Sequence, residues 1–474
     1  MALSDNADPE GTSSAPQARP EDSPSKPRPS RARGALAWLF STIAVIGTLT
    51  VAAVLVWQID AMSVPDRGAF TAPEAYPPDE PAEVLAAFDQ DAPAPDLASA
   101  LPELLSDERF DGDLSAVFAD AATGSVLYEQ RGSDPLSPAS SMKLVSAVAA
   151  YEHLGPEYRI ETSVVEGADD DTVVLVAGGD ITLTVDGQGY YGAGGSLTDL
   201  AEQVLEARGG EAPSTVVLDT DIFTDDELAA GVDGNDLPYV ARAAPIMIDG
   251  GRIGGDQKYF DFYDDPAQAA LERFAELLGA PDVGHGTAPE DAGVLGSVHS
   301  QPVAGLVDSF VLTSDNGLAD AVAFQTALAV EGEMTWDAID RAHRALLEGF
   351  GADTADLVLE DGSGLSERNR MTAEAFSLML LGAADTLAST VFESMPVAGY
   401  SGTLDDRFDG AEDGWGLVRA KTGTLSGVSS LTGSLTTADG NLIVFSLISN
   451  EHSNTSAVQD AMDDVTTAVA LCGC

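Results

Sequence analysis

The stretch PLSPASSMKL, residues 135–144, has the pattern of a helix start and carries three serines and one lysine. Ser137 is a residue type that caps helix N-termini, and Pro138 suits the first helical position. The run that follows is largely apolar and stops at Gly155-Pro156, where a helix commonly ends. We therefore predict a buried central helix that is capped by Ser137.

Helical geometry selects one of the serines as the partner of Lys143. Side chains three positions apart share a helix face, whereas those two apart point about 200° away from each other. Lys143 therefore pairs with Ser140, and Ser141 points elsewhere. A neutral lysine can take the proton of a serine hydroxyl, and burial favours the neutral form, whereas an arginine stays charged. The pair is a candidate nucleophile and base.

The Ser-x-x-Lys pattern is weak by itself, because Ser23 and Lys26 have the same spacing in the N-terminal tail. A surface lysine on a structural helix is the alternative. Two later motifs strengthen the catalytic interpretation: Ser314-Asp315-Asn316 at a helix start, and Lys421-Thr422-Gly423 on a predicted strand. In this order, the three motifs are those of penicillin-binding proteins and class A β-lactamases.

Three longer stretches make the resemblance specific: TGSVLYEQRGSDPLSPASSMKL (123–144), VLVAGGDITLT (174–184) and LEDGSGLSERNRMTAEAF (359–376). From about residue 100 to 471 the chain resembles the D-alanyl-D-alanine carboxypeptidase/endopeptidase family, the class C low-molecular-mass penicillin-binding proteins or serine peptidase family S13. The resemblance implies an α+β, β-lactamase/transpeptidase-like fold. In that fold an antiparallel sheet is flanked by helices, a buried central helix carries the nucleophile, and a mixed module is inserted. It implies no cofactor and no metal.

The resemblance also implies a role for each motif residue. Ser140 would attack the penultimate D-alanine carbonyl of a peptidoglycan stem peptide, Lys143 would take its proton, and Ser314 would relay a proton to the leaving amine. The implied substrate-binding residues are Asn316, Lys421, Thr422, Gly423 and Thr424. Asn316 would hold the substrate amide or orient Lys143, and Lys421 would provide a cation for the terminal carboxylate or for the Ser314 network. The backbone N–H groups of Ser140 and Thr424 would form the oxyanion hole. One departure is Asp320, where the family leads us to expect glutamate.

Composition restricts the partners and cofactors. The 474 residues carry a formal net charge of −56, from 78 acidic and 22 basic residues, which disfavours nucleic acid as a partner. The five histidines form no HExxH or paired spacing, so zinc chemistry is not expected. The only cysteines, Cys472 and Cys474, cannot form a disulfide framework inside the fold. GQGYYG (187–192) is a literal GxGxxG, but no predicted strand runs directly into it, which disfavours a dinucleotide site.

The predicted organisation has five parts. These are a disordered cytoplasmic tail (1–34), a transmembrane anchor (35–57), an extracellular proline-rich acidic stalk (58–100), a transpeptidase-like catalytic domain (101–160 and 296–474) and an inserted module (161–295). The anchor's uncharged run would be about 34 Å long as a helix, enough to cross the hydrocarbon core. Basic residues precede it and acidic residues follow it, which predicts a single-pass protein with the catalytic domain outside the cell membrane. A cleaved signal peptide is the alternative.

Local signals predict several further elements. A hairpin is expected around residues 122–124, and a helix that Ser196 caps, with Asp199 completing a capping box. Three strands are expected after Trp415, with turns at Ser426-Gly427 and Asp439-Gly440. A last helix is expected near 454–471.

Three functions are compatible with this sequence. The leading hypothesis is an exported serine D,D-carboxypeptidase or endopeptidase that cleaves peptidoglycan stem peptides and is acylated by β-lactams. A β-lactamase or esterase on the same scaffold is the second, and an inactive wall-binding protein is the third. The intact motif residues disfavour the third.

Overall fold

The computed structural model describes residues 95–225, 227–254 and 261–472. Helices occupy α1 (Leu97–Leu104), α2 (Lys143–His153), α3 (Leu197–Ala207), α4 (Pro266–Leu278), α5 (Val303–Thr313), α6 (Asn316–Glu331), α7 (Trp336–Gly349), α8 (Ala373–Ala383), α9 (Val391–Ser394) and α10 (Thr455–Ala470). Strands occupy β1 (Asp113–Asp120), β2 (Val126–Gln130), β3 (Glu161–Glu166), β4 (Thr172–Val176), β5 (Asp180–Leu183), β6 (Gln188–Gly189), β7 (Gly192–Ala193), β8 (Thr215–Asp219), β9 (Ile246–Ile248), β10 (Arg252–Ile253), β11 (Asp261–Phe262), β12 (Asp282–His285), β13 (Val294–His299), β14 (Val418–Leu425), β15 (Val428–Thr436) and β16 (Leu442–Asn450).

The main sheet is five-stranded and antiparallel, with the order β14-β15-β16-β1-β2. The predicted hairpin at 122–124 joins β1 to β2. The three strands predicted after Trp415 are confirmed as β14, β15 and β16. Side chains alternate across the sheet, as the two-residue period of a strand requires. Val444 and Ile448 therefore pack with helices α2 and α8, whereas Phe445 and Leu447 pack with α1 and α10. Helices on both faces make this an α+β fold.

The N-terminal helix α1 starts at Leu97, inside the segment predicted as stalk (58–100). Leu97 and Leu101 are buried in the core between the main sheet and α10. Asp96 caps the helix by accepting a hydrogen bond from the Ser99 N–H. The apolar spacing of four residues places both leucines on one face, which explains why the helix packs instead of extending the stalk.

The predicted central helix is buried along its whole first two turns, from Lys143 to Tyr151. Its start differs from the prediction, because a 3₁₀ turn, Ala139–Met142, precedes α2. Ser137 is not the cap: its Oγ is buried and has no hydrogen-bond partner among the described residues. Instead the Ser137 backbone is held by Asn450, which accepts from its N–H at 2.8 Å and donates to its carbonyl at 3.0 Å. A long-range contact with β16 thus replaces the local cap.

A second sheet has the order β12-β8-β4-β3-β13. It is mixed, since β4, β8 and β12 run parallel while β3 is antiparallel to both of its neighbours. Helices α3 and α4 cover it and share a separate apolar core with it. The predicted cap of α3 is confirmed, because the Ser196 Oγ accepts from the Asp199 N–H at 3.1 Å. The strands of this sheet lie between residues 161 and 299, so the last one runs past the predicted module boundary at 295.

The predicted transmembrane anchor (35–57) lies outside the described residues. Among the residues that are described, no single helix is both long and apolar enough to cross a membrane. One bent pair, Ala373–Ala383 with Leu387–Ser394, reaches the required length and apolarity only when its two helices are taken together.

Buried Asp180 makes the stability of the fold depend on pH. Its carboxylate accepts from the Thr182 N–H and Oγ1, both at 2.7 Å, and burial raises its pKa to about 6. The pKa of Asp180 is therefore higher in the folded than in the unfolded state. The protonated side chain stabilises the fold fully below about pH 4, and this contribution is lost as pH rises through 6. Relative to wild type, Asp180→Asn should gain about 2 kcal/mol of unfolding free energy between pH 4 and pH 7.

Urea unfolding at both pH values measures this change, with Asp356→Asn at an exposed position as the control. Parallel pH dependences for wild type and Asp180→Asn would contradict the assignment.

Candidate active site

The three sequence motifs meet at one site between α2, α6 and the edge strand β14. Ser140 lies on the 3₁₀ turn, and the Lys143 Nζ is 2.9 Å from its Oγ. In a 3₁₀ turn the side chains at i and i+3 eclipse each other, which is the geometry that this contact needs. Ser140 is partly exposed whereas Lys143 is fully buried. A hydroxyl reachable from outside therefore contacts an amine that solvent does not reach.

Lys143 has three oxygen partners. Besides Ser140, its Nζ donates to Asn316 Oδ1 at 2.6 Å and to the Ser363 carbonyl at 2.7 Å. Burial lowers the pKa of Lys143 to about 8, although nearby carboxylates, of which Asp320 is the strongest, oppose the shift. At pH 7 about one-tenth of the amines would then be neutral, against well under a thousandth for an ordinary lysine. The sequence-based expectation that burial would lower this pKa is confirmed in direction.

The second motif forms the junction between α5 and α6. Ser314 adopts a left-handed backbone, with φ 62°, and Asp315 caps α6 by accepting from the Leu318 N–H at 2.9 Å. A non-glycine residue in this conformation is strained, and such strain concentrates at functional sites. The sharp turn directs the two outer side chains of the motif to different partners. Asn316 reaches Lys143, and the Ser314 Oγ lies 3.0 Å from the Lys421 Nζ.

The third motif lies on β14. Lys421 is fully buried, and its Nζ also donates to the Thr422 carbonyl at 2.7 Å. Burial and, less strongly, the charge of Lys143 lower the pKa of Lys421 well below its usual range. A carboxylate placed beside it would raise that pKa again, because opposite charges stabilise each other's ionised form. The Thr422 hydroxyl lies 2.7 Å from that of Thr403.

Gly423 allows β14 to pack directly against the 3₁₀ turn that carries Ser140. A Cβ there would lie 2.6 Å from the Pro138 carbonyl and 2.2 Å from the Ser430 Oγ, so any side chain would push the strand away. The Ser430 hydroxyl ties the same turn to the sheet by donating to the Pro138 carbonyl at 2.6 Å. Ser141 also faces the sheet, with its Oγ 2.7 Å from the Ser430 Oγ on β15, and so points away from Lys143 as helical spacing predicts. Thr424 follows next on β14, and Gln459 donates to its Oγ1 at 2.9 Å.

Motif reasoning missed the loop that holds Lys143 from behind. Asp361 fixes this loop by accepting from the Gly364 N–H, the Ser366 N–H and Asn369 Nδ2, at 2.7, 2.7 and 2.8 Å. Asp320 accepts from the Gly362 N–H at 3.0 Å. These contacts direct the Ser363 carbonyl at the Lys143 Nζ. The stretch LEDGSGLSERNR, noted above only for its family resemblance, was the available signal.

The shorter Asp320 side chain, which departs from the expected glutamate, therefore has a defined position. Burial raises its pKa well above the usual range, and repulsion from Asp361 adds to the effect, while Lys143 opposes it. Together with Asp315, these two carboxyl groups favour the protonated form of the buried Lys143 amine. Desolvation of the amine outweighs them, since the pKa of Lys143 is still lowered.

The GxGxxG stretch, residues 187–192, does not have the geometry of a dinucleotide site. GQGYYG forms the tight β6–β7 hairpin and not a strand-to-helix turn, so a dinucleotide would find no helix N-terminus there. Across residues 95–225, 227–254 and 261–472, no group of three or more His, Cys, Asp or Glu side chains is placed to hold a metal ion.

Comparison with known proteins agrees with the motif geometry. The model of the D-Ala-D-Ala carboxypeptidase 3 (S13) family matches residues 97–259 and 260–469. A carboxypeptidase of Mycobacterium tuberculosis is 33% identical over 466 residues, covering 93% of this chain and 99% of the relative. A D-alanyl-D-alanine carboxypeptidase of an Actinomadura species is 30% identical over 459 residues, covering 77% of this chain and 84% of the relative.

A solved structure shows the same fold. Penicillin binding protein 4 of Haemophilus influenzae superimposes with a TM-score of 0.65 at 20% identity, covering 78% of this chain and 99% of that one. The family model and the two sequence relatives establish that the chain belongs to the D-Ala-D-Ala carboxypeptidase 3 (S13) family and is a serine-type carboxypeptidase.

Proposed function

We propose that this enzyme hydrolyses the D-alanyl-D-alanine bond, or a cross-bridge bond, of peptidoglycan stem peptides through an acyl-enzyme on Ser140. The observation that carries the proposal is the 2.9 Å contact between the Ser140 Oγ and the Nζ of a buried lysine whose pKa is about 8. A serine hydroxyl needs such a neighbouring base to become a nucleophile.

In the acylation step, the Ser140 Oγ forms a bond to the carbonyl carbon of the penultimate D-alanine as its proton passes to Lys143. The backbone N–H groups of Ser140 and Thr424 would stabilise the oxyanion that develops. When the intermediate collapses, the C–N bond breaks, and the proton that Lys143 took from Ser140 passes through the Ser314 hydroxyl to the leaving amine, which leaves Lys143 neutral again. The 3.0 Å contact between Ser314 and Lys421 supports such a relay.

In the second step, water attacks the ester carbonyl as Lys143 accepts its proton, the C–O bond to Ser140 breaks, and Lys143 returns the proton to the Ser140 Oγ. Lys421 and the Thr422 hydroxyl would bind the terminal carboxylate of the substrate, which would in turn raise the pKa of Lys421. Asn316 both holds Lys143 and would bind the substrate amide. A β-lactam would acylate Ser140 in the same way as the peptide. The adduct would remain attached, because the β-lactam ring opens without releasing a leaving group.

The decisive experiment incubates the chain with a fluorescent penicillin and, separately, with a pentapeptide ending in D-Ala-D-Ala. We expect a covalent adduct on the peptide containing Ser140 and release of free D-alanine. Fast loss of the adduct would instead favour the β-lactamase hypothesis, and absence of both adduct and D-alanine would overturn the proposal. Mass spectrometry of products from a cross-linked dimer separates carboxypeptidase from endopeptidase activity.

We also propose that residues 35–57 anchor the enzyme in the cell membrane, with the catalytic domain (101–160 and 296–474) and the inserted module (161–295) outside. The support is the uncharged 23-residue run and the basic residues that precede it. Cell fractionation with mass spectrometry of the N-terminus tests this. Recovery from the membrane fraction with the run intact is expected, whereas a mature chain that starts after residue 57 would show cleavage.

A further inference from the structure

The carboxylate of the second motif is held by a buried arginine from a distant part of the chain. Arg252 Nη2 lies 2.5 Å from Asp315 Oδ2, and the two side chains are only 8% and 3% exposed. The Tyr191 hydroxyl lies between them: it accepts from Arg252 Nη1 at 2.7 Å and donates to Asp315 Oδ2 at 3.2 Å. The Tyr190 ring lies 4.0 Å from the guanidinium and adds a cation–π contact. We call these four side chains the Arg252 clamp.

The clamp explains the glycine-rich sequence around the two tyrosines. The Tyr190 N–H donates to Asp249 Oδ1 at 2.8 Å, which fixes the β6–β7 hairpin against the turn that precedes Arg252. A Cβ on Gly250, whose φ is 64°, would lie 2.2 Å from Arg252 Nη1 and 2.5 Å from the Tyr191 Oη. A Cβ on Gly189 would meet Asp249 Oδ1 at 2.1 Å. The glycines therefore allow the clamp residues to approach closely.

The position of Asp315 gives the clamp its consequence. Its neighbours Ser314 and Asn316 contact Lys421 and Lys143, so the carboxylate lies between the two side chains that reach the lysines. Capping of α6 uses Asp315 Oδ1, whereas Arg252 and Tyr191 both use Oδ2. One oxygen thus fixes the helix and the other fixes the rotation of the carboxylate. A buried ion pair is weak evidence for stability, and its best-attested use is to specify geometry.

We infer that Arg252, oriented by Tyr190 and Tyr191, is a positioning residue for the reaction, because it fixes Asp315 and thereby sets the distances of Ser314 and Asn316 from the two lysines. The inference rests on the proposed function. It assigns the segment around residues 187–252, within the predicted inserted module, a direct part in the catalytic geometry.

The test compares Arg252→Gln with Arg407→Gln. Arg407 forms a second buried pair, with Asp463, at 2.6 and 2.9 Å, and contacts none of the motif residues. Both variants should lose stability, because each leaves a buried carboxylate without its cation. Only Arg252→Gln should lower the kcat of D-alanine release and the penicillin acylation rate per folded molecule, by roughly 100-fold, since a misplacement of about 1 Å has that effect. KM should change far less.

Two milder variants keep the inference testable if Arg252→Gln fails to fold. Arg252→Lys retains the charge and should recover part of the acylation rate. Tyr191→Phe removes one hydroxyl and no charge, and it should lower kcat by several-fold with KM nearly unchanged. Wild-type acylation rates in both Tyr191→Phe and folded Arg252→Gln would overturn the inference. That result would leave the proposed function intact, because wild type would still release D-alanine and label at Ser140.

Discussion

Replacement of Ser140 by alanine is expected to abolish penicillin labelling and to reduce D-alanine release by about 10⁴-fold or more, the usual loss when the nucleophile of a serine hydrolase is removed. The reason is specific to this hydroxyl. Among the serines of the turn, only Ser140 contacts Lys143 at 2.9 Å, whereas the Ser141 hydroxyl is buried against Ser430. Gel fluorescence with a labelled penicillin and a chromatographic assay for D-alanine measure the two losses.

Ser137→Ala is the matched control for this variant. The Ser137 Oγ is buried three residues before the nucleophile and has no hydrogen-bond partner in the part of the chain that the structure describes. Its removal leaves no polar group unpaired, so labelling and D-alanine release should stay within about 2-fold of wild type. An adduct that persists in Ser140→Ala would show that another residue is the nucleophile.

Lys143→Arg is expected to lower the acylation rate by about 10³-fold, because an arginine keeps the positive charge but cannot accept the serine proton at any ordinary pH. In wild type, burial holds the pKa of Lys143 at about 8. The base must be neutral, so the wild-type acylation rate should rise with pH and level off above about 8. The residual rate of Lys143→Arg should lack this rise. Stopped-flow acylation between pH 6 and pH 9.5 measures both properties.

Lys421→Arg is the matched control for Lys143→Arg. If Lys421 serves as a cation beside Ser314 and the substrate carboxylate, an arginine retains its charge, and acylation should fall less than in Lys143→Arg and keep the rise with pH. Wild-type acylation in Lys143→Arg would refute Lys143 as the base. Equal losses and equal pH profiles in the two variants would show that the lysines do not have distinct roles.

The local features that the sequence predicted depend on short-range physics. The pairing of Ser140 with Lys143 depends on helical spacing, and the cap of α3 depends on a serine three residues before the N–H that it accepts from. The three C-terminal strands and their turns are encoded within about ten residues each. Long-range competition explains the failure at Ser137, where Asn450, 313 positions away, holds the backbone that a local cap would have fixed.

Taken by itself, the sequence predicted which residues would carry the chemistry, because motif identity, helix phase and strand pattern are properties of neighbouring residues. The contacts between motifs were decided by the tertiary structure alone. Lys143 meets Asn316 across 173 positions, Lys421 meets Ser314 across 107, and Asp315 meets Arg252 across 63. Spacing along the chain carries no information about such pairs, since they form only when the packing of α2, α6, β10 and β14 removes them from water. The same burial lowers the pKa of both lysines, so the state of the base is likewise a property of the fold.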